Sequence, residues 1–62
     1  MDARVINHGS VLLLQPLTEA AGSWIAEHIP EDAMTWGAAV VVEPRYIADI
    51  VAGMQDDGLD VA

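Results

Sequence analysis

The chain has 62 residues, and its ten Asp and Glu residues stand against two Arg and no Lys, giving a net charge of −8. This balance disfavours direct binding to nucleic acid or to an anionic membrane, because both need clustered cations, and the lack of Cys excludes disulfides and thiolate chemistry. The length allows a single domain, residues 1–62, and a hydrophobic content of 53% argues against disorder. No apolar run approaches the roughly 20 residues of a membrane span, and no signal-peptide pattern is visible, so we expect a cytoplasmic protein.

Two apolar segments near the start predict a β-hairpin. Arg4–Asn7 and Ser10–Gln15 are rich in β-branched and aliphatic residues, and Gly9 between them can adopt the positive φ of a tight turn. The run Val11–Leu14 has no polar alternation, which is typical of a strand that is central or covered on both faces. Pro16 cannot donate to the ladder and is expected to end the second strand.

A first helix is predicted from Thr18 to about Ile29. Thr18 is a favourable N-cap, Glu19 suits the positive end of the helix dipole, and Pro30 ends the helix. The helical period of 3.6 residues places six residues on one wide, mostly apolar face: Ala20, Ala21, Trp24, Ile25, His28 and Ile29. We therefore expect Trp24 in the core.

The second half of the chain predicts one more strand and one more helix. Trp36–Glu43 is the third strand, and Pro44 suits the first position of a helix. Four apolar residues then recur at i, i+3, i+4 and i+7, namely Ile47, Ile50, Val51 and Met54. Gly58 is expected at C′, with Leu59 folding back onto the helix as in a Schellman motif. The last residues form a short edge strand or fray.

This element order, β-β-α-β-α, predicts a small α+β domain: a three-stranded sheet with both helices on one face. If the second and third strands are parallel, the crossover between them is right-handed. The other face of the sheet is then apolar and needs a cover. We expect a homodimer packed sheet to sheet or an obligate partner, and the alternative is a monomer whose termini fold over short, twisted strands.

Few residues point to catalysis or to a bound metal. His8 and Ser10 flank Gly9, but this spacing does not make a base–nucleophile pair, and a hairpin turn explains the motif. His28 lies in the last turn of the first helix, where a terminal or half-buried structural role is expected, with a pH-sensitive contact as the alternative. We predict no catalytic residue, no metal site and no cofactor, and therefore a protein that is not an enzyme. An enzyme would need a pocket at a dimer interface with His28 as its base.

The acidic and aromatic residues are the candidate partner-binding residues. Two acidic clusters are visible, Glu27, Glu31 and Asp32 in the first and Asp56, Asp57 and Asp60 in the second. They either keep the protein soluble or imitate nucleic-acid phosphates and occupy a basic groove on another protein. Trp36 and Tyr46 are the candidate anchors, because large amphipathic rings dominate binding hot spots.

Arg45 opposes the helix dipole in the first turn of the second helix. As one of only two cations, it is expected to pair with Glu43 or Asp49 within the chain. The alternatives are an ion pair across a subunit interface or a ligand anion at the helix N-terminus.

Seven short motifs give the chain a family resemblance over about residues 7–59. They are His8-Gly9-Ser10, Pro16-Leu17-Thr18, Trp24, His28-Ile29-Pro30, Trp36-Gly37, Val42-Glu43-Pro44-Arg45-Tyr46 and Asp57-Gly58-Leu59. With these, the chain resembles a group of short proteobacterial proteins with no assigned activity, some of which are carried by phages and other mobile elements. The resemblance transfers no functional residue, and it implies an accessory protein of a mobile element.

The functional prediction is a small acidic protein that acts by protein–protein interaction. In its concrete form it is an inhibitor of host defence, of the anti-CRISPR or antirestriction type, whose acidic surface acts as a DNA mimic and blocks a nucleic-acid-binding protein. The alternative is an antitoxin-like or regulatory subunit that packs its apolar sheet face on one dedicated partner.

Overall fold

The computed structural model describes residues 1–62 as six elements of secondary structure in the order β-β-α-β-β-α. The bounds are β1, Ala3–His8; β2, Val11–Pro16; α1, Glu19–His28; β3, Thr35–Trp36; β4, Ala39–Val42; and α2, Pro44–Asp56. The small α+β class expected from the sequence is confirmed.

Two tight turns shape the sheet, and each contains a glycine with positive φ. Gly9, at φ 70°, lies between the paired residues His8 and Val11, in the turn of the first hairpin. Gly37, at φ 60°, lies between the paired residues Trp36 and Ala39. The expected single strand over Trp36–Glu43 is therefore wrong: the chain reverses at Gly37, so the sheet has four strands rather than three.

The strand order is β1-β2-β4-β3, and every neighbouring pair is antiparallel. A parallel pairing of β2 with β4, with a right-handed crossover through α1, is therefore not formed. The reason is the additional hairpin: β3 runs in the same direction as β2, and the reversal at Gly37 sends β4 back antiparallel to both.

Both helices have the ends that the sequence predicts. The Thr18 hydroxyl accepts a hydrogen bond from the backbone N–H of Ala21 at 3.3 Å, so it caps α1. At the end of α2, Gly58 has φ 88°, and the N–H of Leu59 donates to the carbonyl of Met54 at 3.0 Å. This is the Schellman ending, and it returns Leu59 to the core.

The core lies between one face of the sheet and the two helices, as expected. Leu14 and Met54 are its largest fully enclosed side chains, and both helices add half-buried residues to the same cluster. The core is completed by Ala3, Ala21, Val40 and Val42. Ala20 and His28, which the helical period places on the apolar face of α1, are exposed.

The tail after α2 covers the outer edge of β1. Val61 forms a parallel bridge with Ala3, the N–H of Ala3 donates to the carbonyl of Asp60 at 3.2 Å, and the N–H of Val5 donates to that of Ala62 at 3.0 Å. The carboxylate of Asp2 accepts from the backbone N–H of Asp60 and from the Thr18 hydroxyl, both at 2.9 Å. The expected edge strand is thus present as a short parallel extension of the sheet.

Candidate functional site

The charges and the sheet occupy different parts of the molecule. None of the four strands contains Asp or Glu, so all ten acidic residues lie in the helices, the loops and the two terminal segments. Only Glu43, Asp57 and Asp60 have a cationic group within 4.0 Å, and for Asp57 that group is His28, which is charged only when protonated. We refer to the helices, loops and terminal segments together as the helical side of the protein. Most of its carboxylates are therefore unpaired.

The sheet has an open face, which we define as the face turned away from the helices. The strand register places nine residues on it: Arg4, Ile6, His8, Val11, Leu13, Gln15, Trp36, Ala39 and Val41. Its only formal charge at neutral pH is Arg4, whose Nε donates to the side-chain oxygen of Gln15 at 2.7 Å. Leu13 is only 9% exposed although no helix lies over it.

Two aromatic rings of the open face contact each other. The rings of His8 and Trp36 meet edge to face, with centroids 4.1 Å apart and an interplanar angle of 82°. His8 is on β1 and Trp36 is on β3, the two outermost strands, so the rings reach each other across β2 and β4. The side chains of the open face therefore cover part of it, while Trp36 remains 57% exposed.

A groove of about 320 Å³ lies where the end of α1, the following loop, β4 and the first turns of α2 meet. Hydrophobic residues supply most of its lining, among them Ile29, Val40, Val42 and Ile50. Its titratable lining residues are His28, Glu43, Tyr46 and Asp49, and we refer to the exposed residues Glu43, Tyr46 and Asp49 as its rim. We call this the carboxylate-rimmed groove.

A guanidinium group lies against two residues of this rim, Glu43 and Tyr46. Arg45 Nε lies 3.2 Å from Glu43 Oε2, which confirms the expected pairing within the chain. The Arg45 guanidinium carbon also lies 4.8 Å from the centroid of the Tyr46 ring, in cation–π range. Asp49, the other expected partner of Arg45, has no cation within 4.0 Å.

The first acidic cluster stands at the end of α1 and in the loop after it. Glu27, Glu31 and Asp32 are all exposed and form no ion pair. Glu31 lines a second groove of about 290 Å³, which shares Ile29 and Val40 with the carboxylate-rimmed groove. Glu31 therefore lies in a groove that adjoins the one lined by Tyr46, while Trp36 belongs to the open face.

The second acidic cluster is engaged by the protein itself at two of its three positions. Asp57 accepts a hydrogen bond from Trp24 Nε1 at 2.6 Å, and the ring of His28 stacks on Trp24 at 4.0 Å. His28 Nδ1 donates to the carbonyl of Trp24 at 2.8 Å, because a carbonyl oxygen only accepts. Asp60 lies 3.4 Å from the terminal ammonium group of Met1. Asp56 alone makes no polar contact.

Several of these features escape sequence reasoning. The pairing of His8 with Trp36 depends on the strand order, which no local pattern encodes. The use of Glu43 and Asp49 as one rim depends on the angle at which α2 leaves β4. A usable signal was Arg45 itself, because a cation in the first turn of a helix requires a local partner.

No cluster of three or more His, Asp or Glu side chains is arranged to hold a metal ion. None of the helices has the length and apolarity needed to cross a bilayer. Comparisons with protein-family models, curated proteins and solved structures give no match.

Proposed function

We propose that this protein is a non-enzymatic binding module that occupies a basic, nucleic-acid-binding surface of another protein. The observation that supports this proposal is the separation of charge from the sheet, which leaves unpaired carboxylates on the helical side. Such a surface attracts a basic groove over distances comparable to the Debye length and speeds association.

The first acidic cluster is the part of this surface that is free to act. Glu27, Glu31 and Asp32 are exposed and unpaired, and Glu31 lines a groove that adjoins the one lined by Tyr46, the candidate aromatic anchor. In the second cluster, Asp57 and Asp60 also hold the fold together, and Asp56 is the free member. We assign partner recognition mainly to the first cluster.

The setting of this activity is proposed on the resemblance described above. A cytoplasmic accessory protein of a phage or other mobile element would meet the nucleases and CRISPR complexes of its host. An inhibitor of the anti-CRISPR or antirestriction type would then act as a DNA mimic in their basic grooves. The absence of carboxylates from the strands leaves the open face available for a second copy of the chain.

The proposal is tested by an affinity pull-down from a bacterial lysate, washed at low and at high salt, with the captured proteins identified. We expect a DNA- or RNA-binding protein that salt releases. The triple variant Glu27→Gln, Glu31→Gln, Asp32→Asn should slow association with that protein by about tenfold, because steering depends on charge. Glu19→Gln, at the opposite end of α1, is the control for loss of a single negative charge outside the cluster. Equal association rates for the triple variant and the parent would contradict the proposal.

A second candidate function is favoured by the exposure of Trp36 on a sheet face whose only formal charge is Arg4. In it, the protein is an antitoxin-like or regulatory subunit that packs the open face on one dedicated partner. Binding would then resist high salt, and it would be lost in Ile6→Lys, which adds a charge to that face. Salt-sensitive binding that survives Ile6→Lys would exclude this alternative.

A further inference from the structure

We propose that the carboxylate-rimmed groove binds an arginine side chain presented by a protein partner. The guanidinium group would lie at the rim among Glu43, Tyr46 and Asp49, and the aliphatic stem would lie on the apolar lining. This inference rests on the proposed function, because it names the residue by which a basic partner is held.

The lining of the groove fits the stem of a long cationic side chain. Val40 and Val42 are buried residues of the core, and Ile29 and Ile50 pack against the same cluster. An arginine keeps its charged end in water while its methylene groups cover apolar surface. A volume of about 320 Å³ is enough for one side chain and is at the small end of ligand sites.

The rim supplies the charge complement. Glu43 and Asp49 are two carboxylates on one short stretch of α2 and its N-cap, and Arg45 is paired with only the first. Arg45 provides an example of these contacts within the chain, since its guanidinium group lies against both Glu43 and the Tyr46 ring. The Arg45 side chain is 70% exposed, so it can move aside or share the rim with an incoming arginine.

The same geometry selects arginine over lysine and excludes anions. A planar guanidinium can stack on an aromatic ring while it donates several hydrogen bonds to carboxylates, which a compact ammonium group cannot do. A phosphate or a carboxylate ligand would be repelled by Glu43 and Asp49. The site is therefore specific for shape as well as for charge.

The test uses short blocked peptides and the intact protein. We would titrate the ¹⁵N-labelled chain with acetyl-Ala-Arg-Ala-amide and with the matched peptides in which lysine or citrulline replaces arginine. Citrulline keeps the shape of arginine and removes its charge. We expect saturable shifts of the backbone amides of Ala33, Val41 and Asp49 with the arginine peptide, smaller shifts with lysine, and none with citrulline.

Variants then assign the rim. Asp49→Asn should weaken binding of the arginine peptide by about threefold to fivefold, the range of an exposed ion pair, and Glu19→Gln should leave it unchanged. Arg45→Gln should tighten binding by about threefold, because it removes a competing guanidinium. All three changes are at exposed positions, and the amide spectrum of each variant reports its fold directly.

Three results would overturn the proposal: equal binding of the citrulline or lysine peptide, shifts centred on Asp56 and Asp57, or equal affinity in Asp49→Asn and Glu19→Gln. The peptide experiment is independent of the lysate experiment. Capture of a basic protein without peptide binding would refute the arginine site in the groove and leave the proposed function in place. Peptide binding without capture of a nucleic-acid-binding protein would refute the proposed function and leave the groove in place.

Discussion

The imidazole of His8 and the indole of Trp36 are in edge-to-face contact at 4.1 Å, although the two residues belong to the opposite edge strands of the sheet. A contact of this span is possible because a twisted sheet brings diagonal corners of one face closer together. It gives a face without helices its own partial cover. The contact also restricts the orientation of the exposed Trp36 ring.

We predict that the ring pair contributes about 1 kcal/mol to the free energy of unfolding, the usual worth of an aromatic contact beyond its buried area. His8→Ala and Trp36→Ala should each lower the free energy of unfolding. The loss in the double variant should be smaller than the sum of the two single losses. Urea unfolding followed by circular dichroism measures all four proteins. Met34→Ala is the control, because Met34 is also exposed but has no ring contact. Simple additivity of the two losses would refute the coupling.

We predict that the protein forms a homodimer through its open face. Two chains of charge −8 repel each other, but face-to-face packing puts the acidic helical layers on the outer sides of the pair. Sedimentation velocity should show a dimer for the parent and for Ala52→Lys, an exposed position on α2, and a monomer for Ile6→Lys. A dimer that persists in Ile6→Lys would show that another surface is used.

The two glycines within the helices should respond in opposite ways to alanine. A methyl group on Gly22 would meet nothing within 4 Å, so Gly22→Ala should stabilise the protein by about 1 kcal/mol through helix propensity. A methyl group on Gly53 would lie 3.2 Å from Cζ2 of Trp24. The hydrogen bond to Asp57 and the stacked ring of His28 hold that ring in place, so it cannot easily shift to make room for the methyl group.

We therefore predict that Gly53→Ala destabilises the protein despite the same gain in helix propensity. The measurement is the thermal midpoint of each variant, with the indole fluorescence as a report on Trp24. A midpoint for Gly53→Ala as high as that for Gly22→Ala would show that the indole moves freely and that the Asp57 hydrogen bond is weak.

Protonation of Asp2 at low pH should weaken the contact between the two ends of the chain. The backbone N–H of Asp60 and then the hydroxyl of Thr18 hold the pKa of this carboxyl below its ordinary value of 3.8. The unfolded state therefore takes up the proton first, so the stabilising contribution is complete above that value and is lost as the pH falls through the folded pKa.

The comparison that isolates this effect is Asp2→Asn against Asp56→Asn, since Asp56 makes no polar contact. Unfolding by urea at a series of acidic pH values should show a shallower loss of stability for Asp2→Asn than for the parent. The slope for Asp56→Asn should match the parent. A slope in Asp2→Asn equal to that of the parent would show that Asp2 does not contribute to the loss of stability at acidic pH.

Local chemistry made much of the fold predictable. Thr18, Pro44 and Gly58 determine helix ends through capping, ring geometry and positive φ, and each occupies the expected position. The strand count failed at Gly37, because an apolar run can be one strand or a hairpin, and a single residue with positive φ decides between them. That error also reversed the direction of β4.

The candidate site was less predictable, because it is assembled from segments distant in sequence. The sequence predicts Trp36 and Tyr46 as candidate anchors, but one lies on the open face and the other at the groove. It places Asp57 in an acidic cluster, and the hydrogen bond from Trp24 is not foreseeable because it depends on helix packing. Arg45 was the exception, since its partner is two residues away.

The tail that pairs with β1 also limits how these molecules can assemble. A fibre of stacked sheets requires a free edge on each side of every molecule. Here the chain's own residues 60–62 occupy one side along the first half of β1, and the other side ends in the two residues of β3. Little unpaired strand edge is therefore left for edge-to-edge growth into filaments.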